Sequence, residues 1–307
     1  MTAKSNLDEL QICNLLGLSG KVALITGGGS GIGLMMAKGF AANGVKTYIT
    51  GRREDVLQQV HLQYPNILPL RMDVTNKEEI ANAAKVIEEK EGKLDILVNN
   101  AGIVGPFYTL CQSSESTINN LAYSRAETKS ANLWSNSHFF NQYSFESWAQ
   151  VFNTNTSAPF FVTMAFLDLL KKGAAVGGTM SSVIMISSVT SKAKITYNIP
   201  AYTASKAGIN YLTTALATEF ARNDVPIRVN CISPGTFPSE LTGRDEDKLN
   251  ESLRTGPLLG VPCSVPLRRA GTEKEMASAA IYLASPMSGY TNGNNIVVDG
   301  GLHLVNP

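Results

Sequence analysis

The sequence predicts an α/β fold: a doubly wound, parallel, seven-stranded sheet with helices on both faces, in a single domain. Three observations lead there. Short runs rich in β-branched and aromatic residues alternate with helical patterns from Lys21 onward, which is the pattern of βαβ units. The first of these runs leads straight into Gly27-Gly28-Gly29-Ser30-Gly31-Ile32-Gly33 and then a helical pattern over 34–42. The chain has 307 residues, no internal repeat and no dividing linker, so it can bury one large core.

In chain order, residues 1–20 read as an N-terminal extension and 21–307 as the domain. The first ten residues carry Lys4, Asp8 and Glu9 and lack the apolar centre of a signal peptide. Strands are expected at 22–26, 45–50, 67–72, 96–98, 182–187, 228–232 and 295–298. Between them, Thr75 followed by Glu78 reads as a capping box. The apolar stretch 158–170 reads as one buried helix, too short to cross a bilayer and interrupted by Asp168. Residues 202–222 keep Ala207, Leu212, Ala215, Leu216 and Phe220 at helical spacing.

Two stretches break the alternation. An insertion over about 103–145 is rich in Ser, Asn and Thr and holds Trp134, His138, Phe139, Phe140 and Tyr143. A second stretch, 236–266, carries prolines, glycines and a charged patch at 244–248. Both follow strands, and ligands of a parallel sheet bind beyond the carboxyl ends of its strands, so the two are expected to wall one pocket.

Composition excludes several functions. With 26 Lys+Arg against 25 Asp+Glu and a net charge of +1, there is no basic footprint for nucleic acid or an anionic membrane. A small-molecule ligand fits better. Cys13, Cys111, Cys231 and Cys263 are scattered, with no Cys-x-x-Cys pair, which suits a reducing, cytoplasmic setting and argues against zinc or a disulfide framework; no metal site is expected.

The glycine string between a strand and a helix is a phosphate-binding turn: glycine lets the backbone turn tightly, and the helix amino terminus favours an anion. Tyr202 and Lys206 stand four residues apart, one helical turn, on one face. An ammonium beside a phenol favours the phenolate, so such a pair serves as acid or base near neutral pH.

The spacing Thr26-Gly27-x-x-x-Gly31-x-Gly33 resembles the fingerprint of the short-chain dehydrogenase/reductase family. The resemblance continues in order through Asp73-Val74, Asn99-Asn100-Ala101-Gly102, Asn155, Ile186-Ser187-Ser188, Tyr202-x-x-x-Lys206, Ser233-Pro234-Gly235 and Asp299-Gly300-Gly301, covering about residues 20–301. It implies a Rossmann-type sheet with NAD(P) across its carboxyl edge. Tyr202 then looks like the proton donor to a carbonyl, Lys206 the group that lowers its pKa and holds the nicotinamide ribose, Ser188 the substrate-orienting hydroxyl, and Asn155 the holder of a relay water. Ser187 is the rival of Ser188, since neighbours on a strand face opposite ways, and Asn153 is the rival of Asn155.

For the cofactor, the resemblance implies contacts from Gly27, Ser30, Gly31, Ile32, Gly33, Asn100, Ala101, Gly102, Pro234 and Gly235, with Asp73 and Val74 flanking the adenine. NAD enzymes place an acidic residue after the second strand, whereas NADP needs a cation. Here the segment reads Tyr48-Ile49-Thr50-Gly51-Arg52-Arg53, with no carboxylate before Glu54. The expectation is NADP(H), with Arg52 as the leading phosphate contact and Arg53 the second.

After Pro234-Gly235, the run Thr236-Phe237-Pro238-Ser239-Glu240-Leu241-Thr242 resembles a branch containing rhamnolipid-type β-ketoacyl reductases and fungal secondary-metabolism reductases. The expected activity is NADPH-dependent reduction of a ketone in a bulky keto or acyl metabolite, or the reverse oxidation, by a homodimer or homotetramer. Two alternatives stand beside it: the same fold catalysing a non-redox step such as cyclisation, and a cofactor-sensing binding module.

Overall fold

A computed structural model describes residues 10–105, 143–242, 245–258 and 261–306. The expectations for Trp134, His138, Phe139, Phe140 and Cys111 fall outside those residues. Seven strands form one parallel sheet in the order β3-β2-β1-β4-β5-β6-β7. They are β1 Val22–Thr26, β2 Lys46–Gly51, β3 Ile67–Arg71, β4 Ile96–Asn99, β5 Ser181–Ile186, β6 Ile227–Pro234 and β7 Asn295–Val298. Each lies where its β-rich run predicts, with ends moved by two residues at most.

Both faces of the sheet are covered, which is why β1 and β5 are buried along their whole length. Alternation sends Leu24, Leu97 and Val183 into one core with Phe166, Leu169, Leu216 and Phe220. It sends Ile25, Val98 and Ile184 into the other with Met36, Phe40, Met276 and Leu283. Burying one such side chain fully contributes about 1.5–3 kcal/mol. The chain leaves β1 toward β2 and β3, then returns to pair β4 on the other side of β1. That reversal opens a crevice at the carboxyl ends of β1 and β4.

Three local expectations are corrected. The helix Lys77–Glu91 is capped by Asn76, whose side chain accepts from the Glu78 and Glu79 N–H groups, and not by Thr75. Thr75 instead gives both its N–H and its hydroxyl to Asp73. The stretch 158–170 is not one helix but parts of two, Ala158–Ala165 and Leu167–Gly177, divided at the fully buried Phe166. The redirected second helix crosses the start of β4 so closely that a Cβ on Gly173 would lie 2.1 Å from the Leu94 carbonyl oxygen.

In the long helix Pro200–Arg222 the buried stripe is displaced from the predicted one. Ala207 is exposed, while Ser205, Lys206 and Thr213 are buried beside Ile209, Leu216 and Phe220. Polar side chains tolerate that position because each has a partner: Asn155, the Ile186 carbonyl and the Ile209 carbonyl respectively.

Two flanking segments are more structured than their composition suggests. The described end of the N-terminal extension forms the short helix Ile12–Leu16 and inserts Leu18 into the core. Within 236–266, the helix Glu246–Thr255 buries Leu249 and Leu253 against Val189, the residue after Ser188.

Replacing Asn76 with Ala should lower unfolding stability by about 1 kcal/mol, and Thr75→Ala by clearly less. Urea denaturation of the two variants checks the cap; a larger loss in Thr75→Ala than in Asn76→Ala would return it to Thr75.

Candidate active site

The crevice is built on one tight joint. Gly27 has φ +64°, and a Cβ there would sit 2.9 Å from the Ala101 Cα. A Cβ on Gly33 would fall 2.4 Å from both the Gly27 carbonyl oxygen and Asn100 Nδ2. Only glycine permits this approach. The Asn100 side chain donates to the Thr26 and Gly27 carbonyls at 2.8 and 3.0 Å, and the Thr26 hydroxyl accepts from the Asn100 and Ala101 N–H groups, each at 3.0 Å. The Asn100 amide thus holds the turn in place.

Beyond the joint starts the helix Gly31–Ala42, with Ser30 at its N-cap making no side-chain cap bond. Its first N–H groups, Ile32 and Gly33 among them, therefore suit an anion such as a pyrophosphate. The residues fit a dinucleotide. Pro234 and Gly235 close the far side, where Gly235 packs against Asp299 so tightly that a Cβ would lie 2.6 Å from its Cα.

At the adenosine end, Arg52 and Arg53 are both exposed. Burial works against the Asp73 carboxylate, yet bonds from Thr75 and the nearby Arg52 and Arg71 hold its pKa below the usual range. Val74 is buried in the core. Arg53 stands differently from the expectation: its Nη2 donates to both oxygens of Glu240, at 2.9 and 3.1 Å. The local sequence carries no sign of this partner, which comes from the stretch after β6.

At the opposite end, the helix over Asn155 carries a π-turn, Asn153–Ser157, of the kind found at functional sites. Asn155 is 1% exposed, whereas Asn153 faces solvent. Asn155 Oδ1 accepts from the Ile103 N–H, and its Nδ2 donates to the Ile103 carbonyl, both at 2.8 Å, and to Ser205 Oγ at 3.0 Å. Ser205 Oγ in turn donates to the Tyr202 carbonyl at 2.7 Å. The main chain of Ile103 and the Ser205 hydroxyl were not singled out in the sequence, because neither residue type announces its partner.

The two serines separate as alternation requires. Ser187 Oγ donates to the Lys206 carbonyl at 2.9 Å and so holds the helix against β5. Ser188 turns the other way and accepts from the Thr190 N–H and hydroxyl at 3.2 and 3.1 Å. Both lone pairs of Ser188 are engaged by Thr190, which directs its own proton outward.

Lys206 is 4% exposed and donates from Nζ to the Ile186 carbonyl at 2.7 Å. Nζ lies 5.7 Å from the centre of the Tyr202 ring. A Cβ on Gly102 would meet Asn155 Oδ1 at 3.2 Å and Lys206 Nζ at 3.4 Å, so both groups converge on Gly102. Burial lowers the Lys206 pKa to about 8. Burial also pushes the Tyr202 phenol above its ordinary value, while the nearby Ser188 hydroxyl works the other way. Desolvation is the larger of these two effects. An aromatic row, Tyr143, Trp148 and Phe152, with ring centres 6.3 and 6.1 Å apart, leads from the end of the insertion. The Tyr143 hydroxyl donates to the Asn198 carbonyl at 3.4 Å, four residues before Tyr202.

Comparison with known proteins supports the fold. A family model described as short chain dehydrogenase matches residues 21–125, and one described as enoyl-(acyl carrier protein) reductase matches 117–303. The short-chain dehydrogenase/reductase VdtF of Byssochlamys spectabilis is 35% identical over 95% of each chain. A rhamnolipids biosynthesis 3-oxoacyl-[acyl-carrier-protein] reductase of Pseudomonas aeruginosa is 29% identical over 94% of this chain and 98% of its own. Among solved structures, the Pseudomonas aeruginosa RhlG/NADP active-site complex superposes with a TM-score of 0.72 at 28% identity, over 94% of this chain and 98% of that one. Among the described residues, no helix is long and apolar enough to cross a membrane.

The Lys206 shift sets a pH dependence. Its folded pKa, about 8, lies below the unfolded value of about 10.4, so between them the unfolded chain binds more protons and stability rises with pH. Lys206→Met should remove that rise. Urea midpoints at pH values inside and below the window, in both proteins, check it.

Proposed function

The chain belongs to the short-chain dehydrogenase/reductase family, whose members are oxidoreductases using a nicotinamide dinucleotide, and from that premise we propose that it is an NADP(H)-dependent reductase of ketones. The observation that carries the reading is the convergence of Lys206 and Asn155 on Gly102, with Lys206 Nζ 5.7 Å from the centre of the Tyr202 ring. One elongated crevice then joins an anion-binding helix terminus to a proton donor.

When bound, NADPH supplies the hydride. Tyr202, its pKa raised by burial, keeps its proton at neutral pH and gives it to the ketone oxygen. Ser188, with its proton directed outward, donates a hydrogen bond to the same oxygen and stabilises the negative charge growing there. Lys206 spends one N–H on Ile186, and its two remaining N–H bonds serve the nicotinamide ribose and the field around Tyr202. Asn155, locked to Ile103 and Ser205, holds the helix in the π-turn that keeps this geometry and orients a relay water beside Lys206.

The adenosine end supports the phosphorylated cofactor. Arg52 is exposed just past β2, near enough to Asp73 to lower that carboxyl's pKa, and a planar guanidinium there suits a 2′-phosphate. The aromatic row from Tyr143 to Phe152 supports a substrate with a bulky apolar body, in line with a keto or acyl metabolite.

The test is loss of NADPH absorbance with a panel of ketones that includes β-keto thioesters; tight NADPH binding without turnover of any carbonyl overturns the reductase reading. Tyr202→Phe should lower kcat by about 10²–10⁴-fold with NADPH affinity preserved, and wild-type turnover in that variant would remove Tyr202 as the acid. Arg52→Ala should weaken NADPH about tenfold more than NADH, measured by fluorescence titration of each dinucleotide.

A further inference from the structure

Arg53 stands at the N-cap of the helix Glu54–Gln63, just past β2. Its partner Glu240 is 187 residues away, in the stretch after β6. That stretch crosses the mouth of the crevice between the two: a Cβ on Gly31 would lie 3.1 Å from Ser239 Cβ, so Ser239 sits directly over the start of the anion-binding helix. The root of the stretch is firm. Phe237 is 3% exposed and packs on Gly271, and the Thr236 carbonyl accepts from the Gly271 N–H at 2.9 Å. Thr242 Oγ1 donates to the Phe237 carbonyl, and the Leu241 N–H donates to Ser239 Oγ at 3.2 Å. Glu240 thus reaches from a fixed turn to the arginine at the adenosine end.

Each of the two guanidinium groups at that end has a carboxylate in its field. Arg52 acts on Asp73, and Arg53 is held through Nη2 by Glu240. We propose that Glu240 sets the preference between phosphorylated and non-phosphorylated dinucleotides, by competing with the 2′-phosphate for Arg53. The inference rests on the NADP(H) reading and deepens it. A phosphate dianion that draws on the Arg53 Nη2 donor competes with the carboxylate held there, and the two anions repel one another. A free ribose 2′-hydroxyl makes no such demand and leaves the pair intact. The side chains of Arg53 and Glu240 are 55% and 35% exposed, so the pair is weak enough to be displaced. It acts as a competitor and not as a lock.

The experiment compares NADPH and NADH dissociation constants for the full chain, Glu240→Gln, Arg53→Ala and the double variant, by fluorescence titration at fixed ionic strength. In Glu240→Gln the NADPH/NADH affinity ratio should rise by about three- to tenfold, or ~0.7–1.4 kcal/mol, through tighter NADPH with NADH unchanged. With Arg53 already replaced by Ala, the same substitution should leave the ratio where it was. An unchanged ratio in Glu240→Gln, an equal change for both dinucleotides, or a full shift that persists without Arg53 would each overturn the proposal. A wild-type protein that prefers NADH would overturn the NADP(H) reading separately, since the ratio shift in Glu240→Gln still reports the competition.

Discussion

The crevice depends on one contact: the backbone of the glycine turn pressed against the end of β4. Gly33 touches the Gly27 carbonyl and the Asn100 amide at a separation no Cβ allows, and the Thr26 hydroxyl and Asn100 side chain tie the two strand ends with four hydrogen bonds. This joint does two things at once. It aims the amino terminus of the helix Gly31–Ala42 along the crevice, and it fixes the chain that runs on to Gly102, where Asn155 and Lys206 converge. The anion-binding end and the proton-transfer end are therefore in register because both are built on the same few peptide groups.

Much of the fold was legible because fully buried parallel strands leave an unambiguous trace. Runs such as Val22–Thr26 have no polar face to confuse their period, and glycines or asparagines mark their ends. Helix boundaries were less legible where two adjacent residues compete for one role. Thr75 and Asn76 are both good caps; Asp73 captures Thr75, which leaves Asn76 for the helix. The division at Phe166 escaped notice because the apolar period runs through it unbroken. In the site, Tyr202, Lys206, Ser188 and Asn155 were legible as members of an ordered motif set. Their holders were not. Ile103 acts through its main chain, which has no sequence signature, and Glu240 reaches Arg53 across 187 positions. A local window around Arg53 shows no carboxylate, yet the folded chain delivers one.

Burial, more than any single neighbour, sets the charge state of the reacting end. It raises Tyr202 and lowers Lys206, so the phenol keeps its proton while the ammonium stays charged only below about pH 8. At neutral pH the pair carries one positive charge and one available proton. In the proposed reduction, that is the charge distribution a carbonyl oxygen needs as negative charge builds on it. The carbonyl of Ile186 holds Lys206 while Ser187 holds the same helix turn through the Lys206 carbonyl. Two adjacent strand residues therefore fix the lysine from both its side chain and its main chain.

The two ends of the crevice obey opposite rules. At the reacting end Asn155 and Lys206 are 1% and 4% exposed, and main-chain groups hold them. In that low-dielectric setting a shift of a few tenths of an ångström changes energies steeply, so the geometry admits little variation. At the adenosine end the deciding groups are side chains at the surface, Arg53 and Glu240 at 55% and 35% exposure, where water and salt screen each interaction. Each interaction there is weak and screened. The two ends are thus held by different physics: buried geometry at Asn155 and Lys206, and surface charge at Arg53 and Glu240.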